Sequence, residues 1–183
     1  MATCIALLRG INVGRAKRIA MADLRRLVEK LGYADVRTLL NSGNVVFEAT
    51  RPNASKIAST IEGAIQGAFG FSAPVVVVTA AGLDAIILAN PLLAVATDPS
   101  RHLVAFVSRP DVLARVEPLL GTSWAPDAIA LGNNAAYLWC AHGIIESELL
   151  QAFTRLTGVA ATTRNWATVL KLKATAGGNK HAA

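Results

Sequence analysis

Two short segments of this chain carry the residue types that recognise phosphate. Residues 9–18 read RGINVGRAKR, with four basic side chains and no acid. An apolar strand precedes them and a periodic helix follows. Free amides at a helix start bear partial positive charge, so cationic side chains at such a turn favour an anion. The string is neither GxGxxG nor a P-loop, because no Lys-Ser/Thr pair follows the second glycine. Its plainer reading is a basic surface loop in which Gly10 and Gly14 only let the chain turn. The second segment, TTRNWATVLKLK at 162–173, sets Thr163, Arg164 and Asn165 at a candidate helix start, with Lys171 one turn beyond Thr168. Hydroxyls, a guanidinium and a helix start compose an oxyanion site. The plainer reading is an ordinary Asn165–Thr168 cap with Trp166 packed into the core.

Other reactive residues are less organised. Ser42, in the NSGN turn, lacks a GxSxG context and a nearby histidine, so it reads as a turn residue. Cys140 and His142 would share one strand face, followed by Glu146 and Glu148. Two ligands without a second pair do not make a closed metal site. His102, His142 and His181 are scattered, and the sequence has no HExxH, CxxC or catalytic acid pair. Neither a metal nor a cofactor is expected.

Charge singles out the same two segments. The formal net charge is +6, with a pI near 9.8. From Leu149 to the end stand Arg155, Arg164, Lys171, Lys173 and Lys180 and no acid, while the remaining chain holds nine basic residues and all twelve acids. A fold that brought the two segments together would own an anion-attracting surface. The partners this favours are anionic small molecules, a nucleotide or a phosphorylated metabolite. Nucleic acid is less favoured, because aromatics are only 5% and Phe47 is the one ring on the strands that would stack bases. Two cysteines in apolar runs argue for reduced thiols and a cytoplasmic location. No signal peptide is expected, since the apolar stretch 5–8 is short and stopped by Arg9. Residues 73–96 contain one charge, Asp84, over a bilayer-spanning length. The β-branched VVVV after Pro74, then Gly82, Asp84 and Asn90-Pro91, read instead as a strand followed by a core helix, so no membrane partner is expected.

The elements that must position these residues follow from periodicity. With 183 residues, 53% of them hydrophobic, the chain can bury one medium core or two small ones. Thr3–Arg9 is a strand, and Met21, Leu24, Leu27, Val28 and Leu31 recur at helical spacing up to Gly32. Val36–Leu40 and Asn44–Phe47 flank a tight turn. Ile57, Ile61, Ile65 and Phe69 mark a helix before the Val75–Val78 strand. After a linking helix, Leu83–Ala89, the order repeats. It runs through a strand His102–Val107, a helix from Pro110 that Pro118 ends or kinks, strands Ile129–Leu131 and Ala135–Cys140 around GNN, a helix carrying Leu149 to Leu156, and a strand Val159–Thr163. The fold class is therefore α+β, with two tandem ferredoxin-like (βαββαβ) subdomains plus a C-terminal helix. The subdomains span 1–80 and 101–176, the latter including the terminal helix. A linking helix and loop fill 81–100, and 177–183 reads as a flexible tail.

LLRGINVG, MADLRRLVEKLGYADVRTLLNSGNVVF, the NPL at 90–92 and TTRNWATVLKL together resemble the bacterial domain of unknown function 1697 family, over nearly the whole chain. The resemblance implies two ferredoxin-like subdomains and no established activity. It places the family's signature polar positions on Arg9, Asn12, Gly14, Lys17, Ser42, Gly43, Asn44, Thr163, Arg164, Asn165 and Lys171. The chain departs from the usual pattern at Arg15, where a second Gly is common, at Ala20, where Lys is, and at Asn41, where Gln is. The leading expectation is a phosphate-bearing ligand at a basic site shared by the two subdomains. A small transferase or hydrolase acting on a phosphorylated or nucleotide substrate is the alternative within the same chemistry. A protein-interaction module without a small ligand is the third reading, and the oligomeric state is left open.

Overall fold

The computed structural model describes residues 1–178; the last part of the predicted tail, with Lys180 and His181, lies outside them. The fold is mixed α+β, with six α-helices and two four-stranded antiparallel sheets among the described residues. Backbone contacts divide the described residues into two units, 1–83 with 172–178, and 84–171.

The first unit contains β1 (Ala2–Leu8), α1 (Met21–Lys30), β2 (Ala34–Leu39), β3 (Asn44–Ala49), α2 (Ala54–Phe69), β4 (Val75–Thr79) and the start of α3 (Ala80–Leu88). Its strand order is β2-β3-β1-β4. β1 is paired on both sides, with β3 and with β4, and Cys4 to Leu8 are all buried, as a continuous apolar run requires. Alternate residues of the sheet, Cys4, Ala6, Leu8, Val45, Phe47, Val75 and Val77, form one core. Leu24 and Val28 of α1 and Ile57, Ile61 and Ile65 of α2 pack into that core, so both helices cover one face of the sheet. Asn53 caps α2 by accepting from Lys56 N–H at 2.9 Å, and Gly70 ends it in the left-handed region at φ 74°.

The second unit repeats the plan with β5 (His102–Val107), α4 (Asp111–Ala114), β6 (Ala128–Leu131), β7 (Ala135–Trp139), α5 (Glu148–Thr157), β8 (Ala161–Asn165) and the start of α6 (Trp166–Gly177). Its order is β6-β7-β5-β8. Val112, Leu113, Val116 and Leu119 join Leu149, Ala152 and Phe153 over the Leu103, Ala105, Ala136 and Leu138 face. Three sequence expectations are corrected here. The helix after Pro110 is one turn, because Pro118 cannot donate, and a 3-10 segment Glu117–Gly121 continues it. The linking helix begins at Ala80, directly on β4, and not at Leu83. The last strand is Ala161–Asn165, with Val159 in a 3-10 turn before it. No helix among the described residues is long and apolar enough to cross a membrane.

Glycine contexts give opposite mutational outcomes. Gly43 sits at φ 79°, and a Cβ there would lie 2.7 Å from Leu8 Cβ and 2.8 Å from Ile11 Cδ1. Gly43→Ala should therefore cost about 2–4 kcal/mol in denaturant unfolding. Gly67, exposed in α2 with nothing near a Cβ, should gain ~0.5–1 kcal/mol on the same substitution.

Candidate functional site

β1 delivers the basic segment to the end of the first sheet, where Arg9 N–H still donates to Pro74 O at 2.9 Å. Beyond it the chain loops out, with 13–18 exposed, between two buried anchors, Ile11 and Ile19. Asn12 shapes this loop. It lies at φ 56°, a conformation that Asn tolerates better than most residues. Its N–H donates to Lys17 O at 2.8 Å, its Nδ2 to Ile19 O at 2.9 Å and Asn41 O at 2.8 Å, and its Oδ1 accepts from Ile19 N–H at 3.0 Å. Both Nδ2 protons are therefore used, and the side chain docks the loop on the β2–β3 turn. Lys17 Nζ donates to Ser72 O at 2.9 Å. Gly14 takes φ 66° with open space around it, so its contribution is backbone conformation.

Where the loop meets α1 there is a cavity of about 330 Å³ lined by Asn12, Arg18, Ile19, Ala20 and Asn41. Ala20 stands at the N-cap in the extended conformation that Ser, Thr, Asn or Asp would adopt there, but it has no oxygen to offer. The N–H groups of Met21 and Ala22 have no hydrogen-bond partner among the described residues, while those of Asp23 and Leu24 donate to Ala20 O. Arg18 is exposed and forms no ion pair among the described residues, and the next acid along the chain, Asp23, is paired with Arg26. Arg18, Ala20 and Asn41 were not selected as ligand residues from sequence. An alanine immediately before MADLRR, where a capping residue is usual, was the available signal.

The turn residues act as a frame. Asn44 is fully buried, and its Nδ2 donates to Leu39 O at 2.7 Å and to Ser42 Oγ at 2.9 Å. Gly43 O accepts from Leu8 N–H at 2.8 Å, and Leu40 and Gly43 supply the positive φ that the turn needs. Ser42 itself is exposed.

The second segment is arranged differently from the sequence expectation. Because β8 continues through Asn165, successive side chains alternate between its faces. Thr163 and Asn165 stand opposite Ala105 and Leu103, whereas Arg164 is opposite Val104 and shares a face with Thr162. Thr163, Arg164 and Asn165 thus do not present together. Arg164 Nη1 donates to Thr162 Oγ1 at 3.0 Å and Thr163 O at 2.9 Å, and burial lowers its guanidinium to about 10. Asn165 Oδ1 accepts from Thr168 N–H at 2.9 Å, an ordinary cap, and Lys171 is exposed on α6. The Cys140–His142 face is also absent, since β7 ends at Trp139. Cys140 is buried, with its thiol pushed up by that burial, and His142 is exposed. No cluster of potential metal ligands occurs among the described residues.

These contacts separate framing from exposed residues. Asn12→Ala removes three side-chain hydrogen bonds and should lower unfolding free energy by about 1–3 kcal/mol. Lys17→Ala, at an exposed position, should change it by less than about 0.5 kcal/mol in the same denaturant titration.

Residues 1–137 match the model of the family described as "Protein of unknown function (DUF1697)". That match ends at Tyr137, so TTRNWATVLKL lies beyond it. No curated protein matches the chain. Among solved structures, the conserved bacterial protein SP0830 from Streptococcus pneumoniae is 20% identical, with a TM-score of 0.79 over 96% of this chain and 98% of that one. At this identity the likeness speaks for the fold alone. The family match covers most of the chain, from the first strand into the second sheet, and the chain belongs to the DUF1697 family.

Proposed function

We propose that this protein binds a phosphate-bearing anionic ligand at the start of α1. The observation that carries the reading is an uncapped helix start, with the Met21 and Ala22 amides free, opening beside Arg18 onto a cavity of about 330 Å³. A phosphate there would accept from both amides, pair with the guanidinium and lie at the positive end of the α1 dipole. The loop ahead of it carries Arg9, Arg15 and Lys17 and no acid, which raises the local potential. Asn41 offers a directional side chain, while Asn12 and Gly14 shape the loop and Ser42, Gly43 and Asn44 the turn that carries Asn41. In the second unit Lys171 is an exposed cation, whereas Arg164 is buried and bonded to Thr162 and Thr163.

The five lining residues include no aromatic ring and no carboxylate or imidazole. A small phosphorylated metabolite or the phosphates of a nucleotide fit such a wall better than a stacked nucleic-acid base. Binding is favoured over catalysis, because none of the five can act as a general base. We also read each unit as a ferredoxin-like plait. The βαββαβ order, the strand orders β2-β3-β1-β4 and β6-β7-β5-β8, and helices on one face of each sheet support this.

The test is thermal unfolding with inorganic phosphate, pyrophosphate, sugar phosphates and nucleotides at constant ionic strength. A ligand at a hundredfold its Kd should add about 2.7 kcal/mol of stability. Arg18→Ala should weaken binding by roughly tenfold or more. Ala20→Asp supplies a capping carboxylate, so it should melt no lower than wild type and yet lose the phosphate response. A panel that shifts nothing, or an Ala20→Asp variant that binds as before, would sink the proposal. Nucleic-acid binding would instead appear as affinity falling by orders of magnitude from low to moderate salt.

A further inference from the structure

His102, the first residue of β5, is buried at 1% exposure, and its ring stacks on Trp166 with centroids 5.1 Å apart and planes 16° apart. Its Nε2 lies 3.2 Å from Asn90 Nδ2. The orientation of that amide is settled by its other end, because Asn90 Oδ1 accepts from Leu92 N–H at 3.0 Å. Nδ2 can therefore only donate, Nε2 must accept, and the neutral ring carries its proton on Nδ1. Asn90 lies two residues past the end of α3, with its N–H donating to Ile87 O, and Trp166 is the first residue of α6. These are the two helices in which the chain passes from one contact-defined unit to the other. One imidazole thus ties the second unit's ends of both.

We propose that neutral His102 is a proton-sensitive clamp on the second unit's ends of α3 and α6, released when the ring is protonated. A protonated Nε2 would place N–H against N–H. Turning the Asn90 amide over would give the ring an acceptor but would set Nδ2 against Leu92 N–H, so one of the two bonds is lost either way. The charged groups on the surrounding elements do not offset this. Asp84 lies on α3, Asp98 pairs with Arg101 at 3.2 Å on the turn before β5, Arg164 is bonded to Thr162 and Thr163 on β8, and Lys171 is exposed on α6. Among the described residues, the imidazole's polar partner is Asn90. Burial holds its proton affinity below the usual histidine range. A base with a lowered folded-state value takes its proton once released. The clamp is therefore complete above about pH 6.5 and weakens as pH falls below it.

Amide hydrogen exchange of the whole chain from pH 7.5 to 5.5, corrected for intrinsic exchange, tests this. Protection of Leu92 and of the first turn of α6 should fall by up to about tenfold at one pH unit below the free histidine value, while β1 and β3 stay level. His102→Gln, which cannot titrate, should remove that pH dependence. Asn90→Asp keeps the acceptor for Leu92 and presents a second oxygen to a protonated ring, so it should retain protection at pH 5.5. Wild-type protection that ignores pH overturns the proposal, and so does a His102→Gln profile that follows wild type. Should His102→Gln not fold, an Asn90→Asp variant that opens at the wild-type pH overturns it equally.

Discussion

Double-sided pairing of the first strand in each sheet is the constraint on which the rest of the molecule depends. β1 lies between β3 and β4, and β5 lies between β7 and β8, so neither strand has a free edge. Both strands also bury both of their faces, which the unbroken apolar runs CIALL and HLVAFV allow. Helices cover one face through Leu24, Val28 and the Ile57-Ile61-Ile65 row in the first unit, and through Val112 to Leu119 with Phe153 in the second. The place where β1 stops pairing decides where the basic loop can begin.

That loop is polar, glycine-containing and exposed, so its shape has to come from hydrogen bonds and not from burial. Asn12 supplies them by closing the loop on Ile19 and binding it to the carbonyl of Asn41. One side chain thereby joins the loop to the β2–β3 turn and sets the wall of the cavity at the α1 start. The residues that look most like ligands in the sequence, Asn12, Gly43 and Asn44, spend their polarity or their lack of a side chain on the backbone. The groups left unengaged are less conspicuous, namely an arginine at the loop's end and two main-chain amides.

Much of the fold was legible because periodicity reports burial. Strand β5 ends where its apolar run does, and α1 and α2 follow their apolar rows closely. The misjudged stretches are those where local pattern and tertiary pairing compete. Arg164 and Asn165 look like the approach to a helix, but pairing with β5 extends the strand through them, because a strand continues while a neighbour offers hydrogen bonds. Val159 looked like a strand residue, yet Gly158 at positive φ turns the chain before pairing begins.

The sequence by itself determined the two basic segments, the apolar strands and the repeated order of elements. These depend on composition and on periods of two or 3.6 residues, which survive without three-dimensional information. Tertiary structure alone decided which polar groups are consumed and which stay available. It turned Arg164 away from Thr163 and Asn165, engaged the amide of Asn12 and set neutral His102 between Asn90 and Trp166. The reason is that a hydrogen bond between residues distant in the chain, such as Asn12 with Asn41, leaves no periodic trace, so its partners become known only once the strands have paired.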